Sequence, residues 1–198
     1  MGVFGGGMVN IWLASKSPRR EQILRDMFPE IFCQGIEGVE EKPPFGEVDY
    51  QVLEICKQKA KAADEDPQIK EYDLVVVCDT MLCDPDDHLL SIGKPKDEVE
   101  AAMMLFRLSG RRHQVWSATG IKKAGNWKFY CEYSIVEISP LPDEVLVELI
   151  LSKSWQGKAG GYDLAGEAKK HTKLIQGDEL TVLGFAFESI EELKRILI

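Results

Sequence analysis

The chain has 198 residues, a formal net charge of −9 and a composition that is typical of a soluble globular protein. An acidic surface argues against broad binding to nucleic acid, which needs basic faces that neutralise phosphates. No apolar stretch approaches the roughly 20 residues that cross a bilayer, so we expect no membrane partner. The net charge does not exclude a polyanionic small molecule as the ligand, provided that the cations cluster at one site.

Residues 1–9, MGVFGGGMV, predict a loose leader without the basic-then-apolar layout of a signal peptide, and residues 10–198 predict a single domain. The five cysteines are odd in number and scattered, with no C-x-x-C pair, which indicates reduced thiols rather than a disulfide framework. We therefore expect a cytoplasmic protein. The cysteines are Cys33, Cys56, Cys78, Cys83 and Cys131.

Strand-like and helix-like apolar patterns alternate along the whole chain, which predicts an α/β fold. In the first half, the patterns predict strands over 11–14 and 74–78 and helices over 17–28 and 48–63. Ser17 is a natural N-cap for the first helix, with Pro18 at its first position.

The second half opens with a predicted hairpin, whose turn is the DPDD stretch at 84–87. A helix over 96–108 is closed by Gly110. The remaining predicted elements are strands over 113–121 and 128–138 joined by a turn at 124–126, a helix over 142–153, a strand over 180–187 and a helix over 188–198.

Two adjacent arginines, Arg19 and Arg20, lie in the first turn of the first predicted helix. The free backbone N–H groups and the dipole of a helix N-terminus favour an anion there, so cations are unfavourable unless something negative joins them. A guanidinium is a planar fork that matches phosphate oxygens. The stretch therefore predicts a polyphosphate site, with a solvated charge pair on a helix face as the alternative.

A carboxylate and a hydroxyl, Asp79 and Thr80, follow an apolar strand that we expect to end there, and sheet edges often carry catalytic groups in α/β proteins. The alternative for Asp79 is a simple turn former. Lys94 stands between a glycine and a proline, and Lys158 lies in the glycine-rich loop GKAGGYDLAG, so both can be aimed at a ligand.

Metal chemistry is suggested by the carboxylates and not by the histidines. His88, His113 and His171 stand alone, without the paired spacing of a zinc site. Hard oxygen ligands from Asp79 and a glutamate would suit Mg²⁺ or Mn²⁺ arriving with the substrate phosphates. Glutamates are available in the stretch GVEEKPP, at Glu40 and Glu41.

From about Leu13 to Phe187, the motifs resemble, in order, those of the Maf family of nucleoside triphosphate pyrophosphatases: LASKSPRR, VEE, KQKA, CDT, GKP, LSGRRHQV, KAGGY and IQGDELTVLGF. The resemblance implies hydrolysis between the α and β phosphates, giving a nucleoside monophosphate and pyrophosphate with a divalent cation. It also implies an inosine triphosphatase-like α/β fold, with an elongated mixed sheet and two lobes around a central cleft, and a homodimer.

The resemblance also implies roles for individual residues. Asp79 would be the proton acceptor that activates water, and Glu41 the second carboxylate near the metal that Asp79 also binds. The remaining implied substrate-binding residues are Ser17, Arg19 and Arg20 of the phosphate-binding turn, Thr80, and the cleft lysines Lys59, Lys94 and Lys158.

Base selectivity in the branch that prefers dTTP and UTP is associated with three positions, which correspond to Arg19, Thr80 and Ala165. Ala165 stands where that branch has a glutamine, and an alanine side chain cannot hydrogen-bond a base edge. The resemblance therefore favours dTTP and UTP and leaves a modified base, such as a 7-methylated guanine, open. The family's association with septum formation leaves a second hypothesis, a nucleotide-binding regulator without turnover.

Overall fold

The computed structural model describes residues 9–37, 39 and 42–197. Within these ranges, the chain forms a seven-stranded mixed sheet with six α-helices packed around it, which confirms the predicted α/β class. The strands are β1 (Ile11–Leu13), β2 (Ile31–Cys33), β3 (Leu74–Cys83), β4 (Ser91–Ile92), β5 (Arg112–Lys123), β6 (Asn126–Ile138) and β7 (Thr172–Gln176). The helices are α1 (Pro18–Met27), α2 (Val48–Glu65), α3 (Glu98–Leu108), α4 (Asp143–Leu151), α5 (Glu179–Leu183) and α6 (Phe187–Leu197).

The order of the strands is β2-β1-β3-β5-β6-β7, with β4 added to one end of β3. β1 runs parallel to β2 and β3, while β3, β5, β6 and β7 pair antiparallel. The long hairpin of β5 and β6 turns at Ala124 and Gly125, both of which have positive φ, as the sequence predicts for 124–126. β3 is thus the junction between the parallel and antiparallel halves of the sheet.

The sheet is covered on both faces because β3 is apolar along nearly its whole length. Val75 and Val77 pack with Trp12 beneath α2, whose buried residues recur at the spacing of one helix face. The alternate residues, Leu74 and Val76, pack against α1 and α6 on the opposite face. These two clusters anchor the lobe that contains β1 and β2.

A third cluster anchors the other lobe, at the far end of β3. There, Leu105 and Leu108 of α3 pack against Val136 and Ile138 of β6, and Leu149 of α4 joins them. The cleft between the two lobes is lined by residues from both.

Two segments of the predicted secondary structure are wrong. Residues 180–187 do not form a strand: α5 occupies 179–183, because Asp178 caps it by accepting from the Leu180 N–H and Gly184 closes it at a φ of 120°. β3 does not end at Cys78 but continues to Cys83. The sequence also gave no prediction of β2 or β7.

The leader assigned to residues 1–9 lies outside the described residues, apart from Val9. None of the helices in the described ranges combines the length and the apolarity that crossing a lipid bilayer requires. The five cysteines are free thiols.

Candidate active site

The site is built around a gap in the sheet beside β3. β5 pairs with one edge of β3 from Leu74 to Leu82, so β1 and β4 share the other edge. β1 pairs there as far as Val76, and β4 pairs from Leu82 onward. Between them, within the described residues, no strand covers the edge of β3. Asp79 and Thr80 lie in this gap, in mid-strand rather than at a strand end as the sequence suggested.

The gap opens into a cleft with a volume of about 530 Å³, which is within the usual range for small-molecule sites. The turn before α1, the middle of β3 and the glycine-rich loop all contribute to its lining. Most of the predicted site residues meet here. They are Ser17, Arg19, Arg20, Lys59, Asp79, Thr80, Lys94 and Lys158.

Asp79 points to the face of the sheet covered by α2, where it meets Lys59. The Lys59 Nζ lies 2.8 Å from Asp79 Oδ1 and also donates to the Cys78 carbonyl at 3.4 Å. The two side chains are only 12% and 9% exposed, so the pair is largely shielded from water. This geometry fixes a carboxylate at the floor of the cleft, where it can accept a proton from a bound water.

Thr80 points to the opposite face, because successive side chains of a strand alternate. Its Oγ1 accepts from Arg20 Nη2 at 2.9 Å and lies 2.7 Å from the Ser117 hydroxyl. The Arg20 Nε donates to the Gly184 carbonyl at 2.9 Å. A Cβ at position 184 would lie 2.8 Å from that Nε, so glycine is needed there. Arg20 is therefore buried and braced by the protein itself.

The turn that carries the arginines has the predicted cap. Ser17 is the N-cap of α1, and its side chain accepts from the Arg20 N–H at 3.4 Å. Pro18 occupies the first helical position. The cap orients the first turn so that Arg19, unlike Arg20, extends toward the loop of the other lobe.

Arg19 meets Asp163, a residue that the sequence interpretation did not single out. The Arg19 Nη2 lies 2.6 Å from Asp163 Oδ1, and the Lys158 Nζ lies 3.7 Å from Asp163 Oδ2. Burial and the nearby Arg19 lower the pKa of Lys158, while Asp163 opposes that shift. The only signal in the sequence was an acidic residue within the loop GKAGGYDLAG, three residues from its end.

The glycine-rich loop is held in place by tight backbone contacts. Gly160 has a φ of 72° and packs so closely that an added Cβ would lie 2.3 Å from Leu82 Cδ2. Its N–H donates to the Gly93 carbonyl at 2.9 Å, which ties the loop to the stretch carrying Lys94. The buried Tyr162 places its hydroxyl 2.8 Å from His113 Nε2.

Two further predicted site residues, Glu41 and Ala165, differ in whether the structure describes them. Glu41 lies outside the described residues, as does Glu40. Ala165 is exposed and is not part of the cleft lining, and its N–H donates to Asp163 Oδ1 at 2.9 Å. Across the described parts of the chain, no group of three or more His, Cys, Asp or Glu side chains is placed to hold a metal ion.

A family model described as "Maf-like protein" matches residues 10–196, almost the whole chain. The chain belongs to the Maf-like protein family. The resemblance carried by the ordered motifs is thereby confirmed.

Relatives of this Maf-like chain include proteins named dTTP/UTP pyrophosphatase. One from Caldanaerobacter subterraneus subsp. tengcongensis is 35% identical over 94% of this chain and 88% of its own length. Another from Geobacillus sp. is 32% identical over 96% of this chain and 99% of its own length. Among solved structures, the Staphylococcus aureus Ham1 protein matches with a TM-score of 0.45 and 18% identity, covering 65% of this chain and 71% of that one.

Proposed function

We propose that this Maf-like protein hydrolyses nucleoside triphosphates between the α and β phosphates, giving a nucleoside monophosphate and pyrophosphate. The observation that carries the proposal is the carboxylate of Asp79, held at the floor of a cleft whose walls supply cations. The names of the relatives support dTTP and UTP as the substrates.

The residues that line the cleft have different tasks in the proposed reaction. Asp79 orients a water molecule and accepts its proton, while Lys59 holds the carboxylate in position. Negative charge grows on the departing pyrophosphate, and Arg19, Lys94 and Lys158 stabilise it electrostatically. Arg20 is engaged by Thr80 and Gly184, so we assign it the role of fixing the phosphate-binding turn.

We further propose that a divalent cation, Mg²⁺ or Mn²⁺, takes part. The donor chemistry fits, because Asp79 offers hard carboxylate oxygens in the cleft and the substrate phosphates supply others. Asp79 would hold the ion together with Glu41. When bound, such an ion neutralises phosphate charge and makes a coordinated water more acidic.

One observation favours a second candidate substrate. Ala165, in the stretch implied for base selectivity, is exposed and provides no side-chain hydrogen bond. A modified nucleotide such as 7-methyl-GTP would then be the substrate of the same reaction. A nucleotide-binding regulator of cell division without turnover is the remaining alternative.

The test is pyrophosphate release from a panel of standard and modified nucleoside triphosphates, with Mg²⁺, with Mn²⁺ and with a chelator. We expect dTTP and UTP to be hydrolysed, and Asp79→Asn to lower kcat at least about 100-fold because the proton acceptor is lost. Asp64→Asn is the matched control, since Asp64 pairs with Lys122 outside the cleft lining.

Each result on that panel decides between the candidates. Turnover limited to a modified purine nucleotide would mean that dTTP and UTP are not the substrates, while the proposed reaction stays the same. Binding of triphosphates without turnover, unchanged in Asp79→Asn, would favour the regulator. Full activity with the chelator present would refute the proposed metal.

We also propose a homodimer in the cytoplasm. The support for the dimer is a set of exposed apolar side chains that recur at helical spacing on α3 and α4, which we call the apolar face. They are Val99, Met103 and Phe106 on α3, and Val147 and Leu151 on α4. The five free thiols favour a reducing compartment.

A further inference from the structure

We propose that Asp163 is a positioning residue whose carboxylate holds Arg19 and Lys158 side by side for a triphosphate. The inference rests on the proposed function for the nature of the ligand. Asp163 uses one oxygen for each cation: Oδ1 lies 2.6 Å from the guanidinium and Oδ2 lies 3.7 Å from the ammonium.

The two cations need such a bridge because they come from different parts of the fold and repel each other. Arg19 is in the first turn of α1, where the helix dipole disfavours a positive charge. Lys158 enters from the glycine-rich loop of the other lobe. The side chains of Arg19 and Lys158 are only 18% and 24% exposed, so water screens their repulsion weakly.

Asp163 is itself held by hydrogen bonds within its own turn. Its Oδ1 accepts from the Ala165 N–H at 2.9 Å, and its backbone carbonyl accepts from the Gly166 N–H at 3.1 Å. The preceding residue, Tyr162, is buried, and its hydroxyl forms a hydrogen bond with His113. A carboxylate fixed in this way sets where its two partners lie, rather than following them.

The position of Asp163 also indicates that it acts on the two cations rather than on the substrate. Arg19 and Lys158 line the cleft, whereas Asp163 is not among the lining residues. The carboxylate thus contacts the two cations without lining the cleft, and the cations are left to meet a bound triphosphate. The opposite hypothesis is that Asp163 competes with phosphate for the same cations, in which case removing its charge would tighten binding.

The test is a double-mutant cycle on nucleotide affinity, measured by calorimetry with the α,β-imido analogue of dTTP in the presence of Mg²⁺. Asp163→Asn keeps the shape of the side chain and removes its charge. We expect it to weaken binding by about tenfold, the usual size for loss of a charged contact. In an Arg19→Ala background the same change should weaken binding by less than about twofold, because Lys158 then has no neighbouring Arg19 to repel it and the bridge has lost one end.

A purely structural role would lower the melting temperature without this coupling, so the Tm of every variant is measured as well. Asp64→Asn again serves as the control and should leave affinity unchanged. Equal effects of Asp163→Asn in both backgrounds, or tighter binding, would overturn the inference. A cycle that behaves as expected while no triphosphate is hydrolysed would refute the proposed function alone, and no binding by the wild type would refute both.

Discussion

At the scale of single residues, Asp79 and Thr80 are neighbours on one strand that serve opposite faces of the sheet. Asp79 faces α2 and pairs with Lys59, whereas Thr80 faces the other side and accepts from Arg20. Strand alternation therefore divides the motif CDT between the carboxylate that we propose as the proton acceptor and a hydroxyl that holds Arg20 of α1. Loss of the Thr80 hydroxyl would remove one of the two hydrogen bonds that hold the Arg20 side chain.

His113 gives a prediction about pH. Burial lowers the pKa of His113 from the ordinary 6.5 to about 4, so the folded protein keeps the ring neutral while the unfolded chain binds a proton. The free energy of unfolding must therefore fall as the pH drops from 6.5 to 4, by up to about 3 kcal/mol from this group. Above pH 6.5 both states are neutral, and the contribution vanishes.

Urea unfolding near neutral pH and at about pH 4.5 checks this prediction. The reference variant is His113→Gln, whose amide can still bond the Tyr162 hydroxyl. We expect the variant to lose less stability than the wild type between the two pH values. The same loss in both proteins would contradict a neutral buried His113.

At the scale of elements, the glycine-rich loop offers a matched pair of positions. Gly157 and Gly160 have nearly the same positive φ, 70° and 72°, but an added Cβ meets nothing within 4 Å at Gly157 and meets Leu82 Cδ2 at 2.3 Å at Gly160. Gly157→Ala should thus lower the free energy of unfolding by about 1 kcal/mol, the strain of a left-handed alanine. Gly160→Ala should lower the free energy of unfolding by about 1–3 kcal/mol more than Gly157→Ala, because the added methyl group overpacks against Leu82.

Urea denaturation of the two variants measures the difference. Gly160→Ala should also raise KM, since the displaced loop carries Lys158, whereas Gly157→Ala should change KM less. Equal losses of stability would show that the close packing of the loop against β3 does not contribute.

The elements also show which parts of the fold can be predicted from local sequence patterns. The cap of α1, the helix α2 and the β5–β6 hairpin were predictable because local signals and apolar spacing agree there. The segment 180–187 was not predictable, since its apolar residues with Thr181 and Val182 favour a strand. The caps at Asp178 and Gly184 make its first part a helix. The strand β3 was predicted too short because Asp79 interrupts its apolar pattern at the functional site.

At the scale of the whole molecule, the order of motifs predicted most of the residues that lie together at the cleft, but not the contacts among them. Residues as far apart as Arg19 and Lys158 converge because the turn after β1 and the glycine-rich loop border the same gap in the sheet. Asp163 escaped prediction because its closer partner, Arg19, is distant in sequence and no local pattern marks that ion pair.

The proposed homodimer gives a prediction at this scale. Phe106→Glu puts a charge into the apolar face of α3 and α4, so it should convert a dimer into a monomer. Light scattering coupled to gel filtration measures the mass. Phe45→Glu, at an exposed position in the segment before α2, should leave the dimer intact. A monomeric wild type, or a dimer unaffected by Phe106→Glu, would contradict this interface.

The most direct test of the central claim is hydrolysis of dTTP in water enriched in ¹⁸O, followed by mass spectrometry of the products. With Asp79 delivering water to the α phosphorus and pyrophosphate leaving, the label must appear in thymidine monophosphate and not in pyrophosphate. Label in pyrophosphate, or products consisting of the diphosphate and inorganic phosphate, would contradict the arrangement of base and cations described for this cleft.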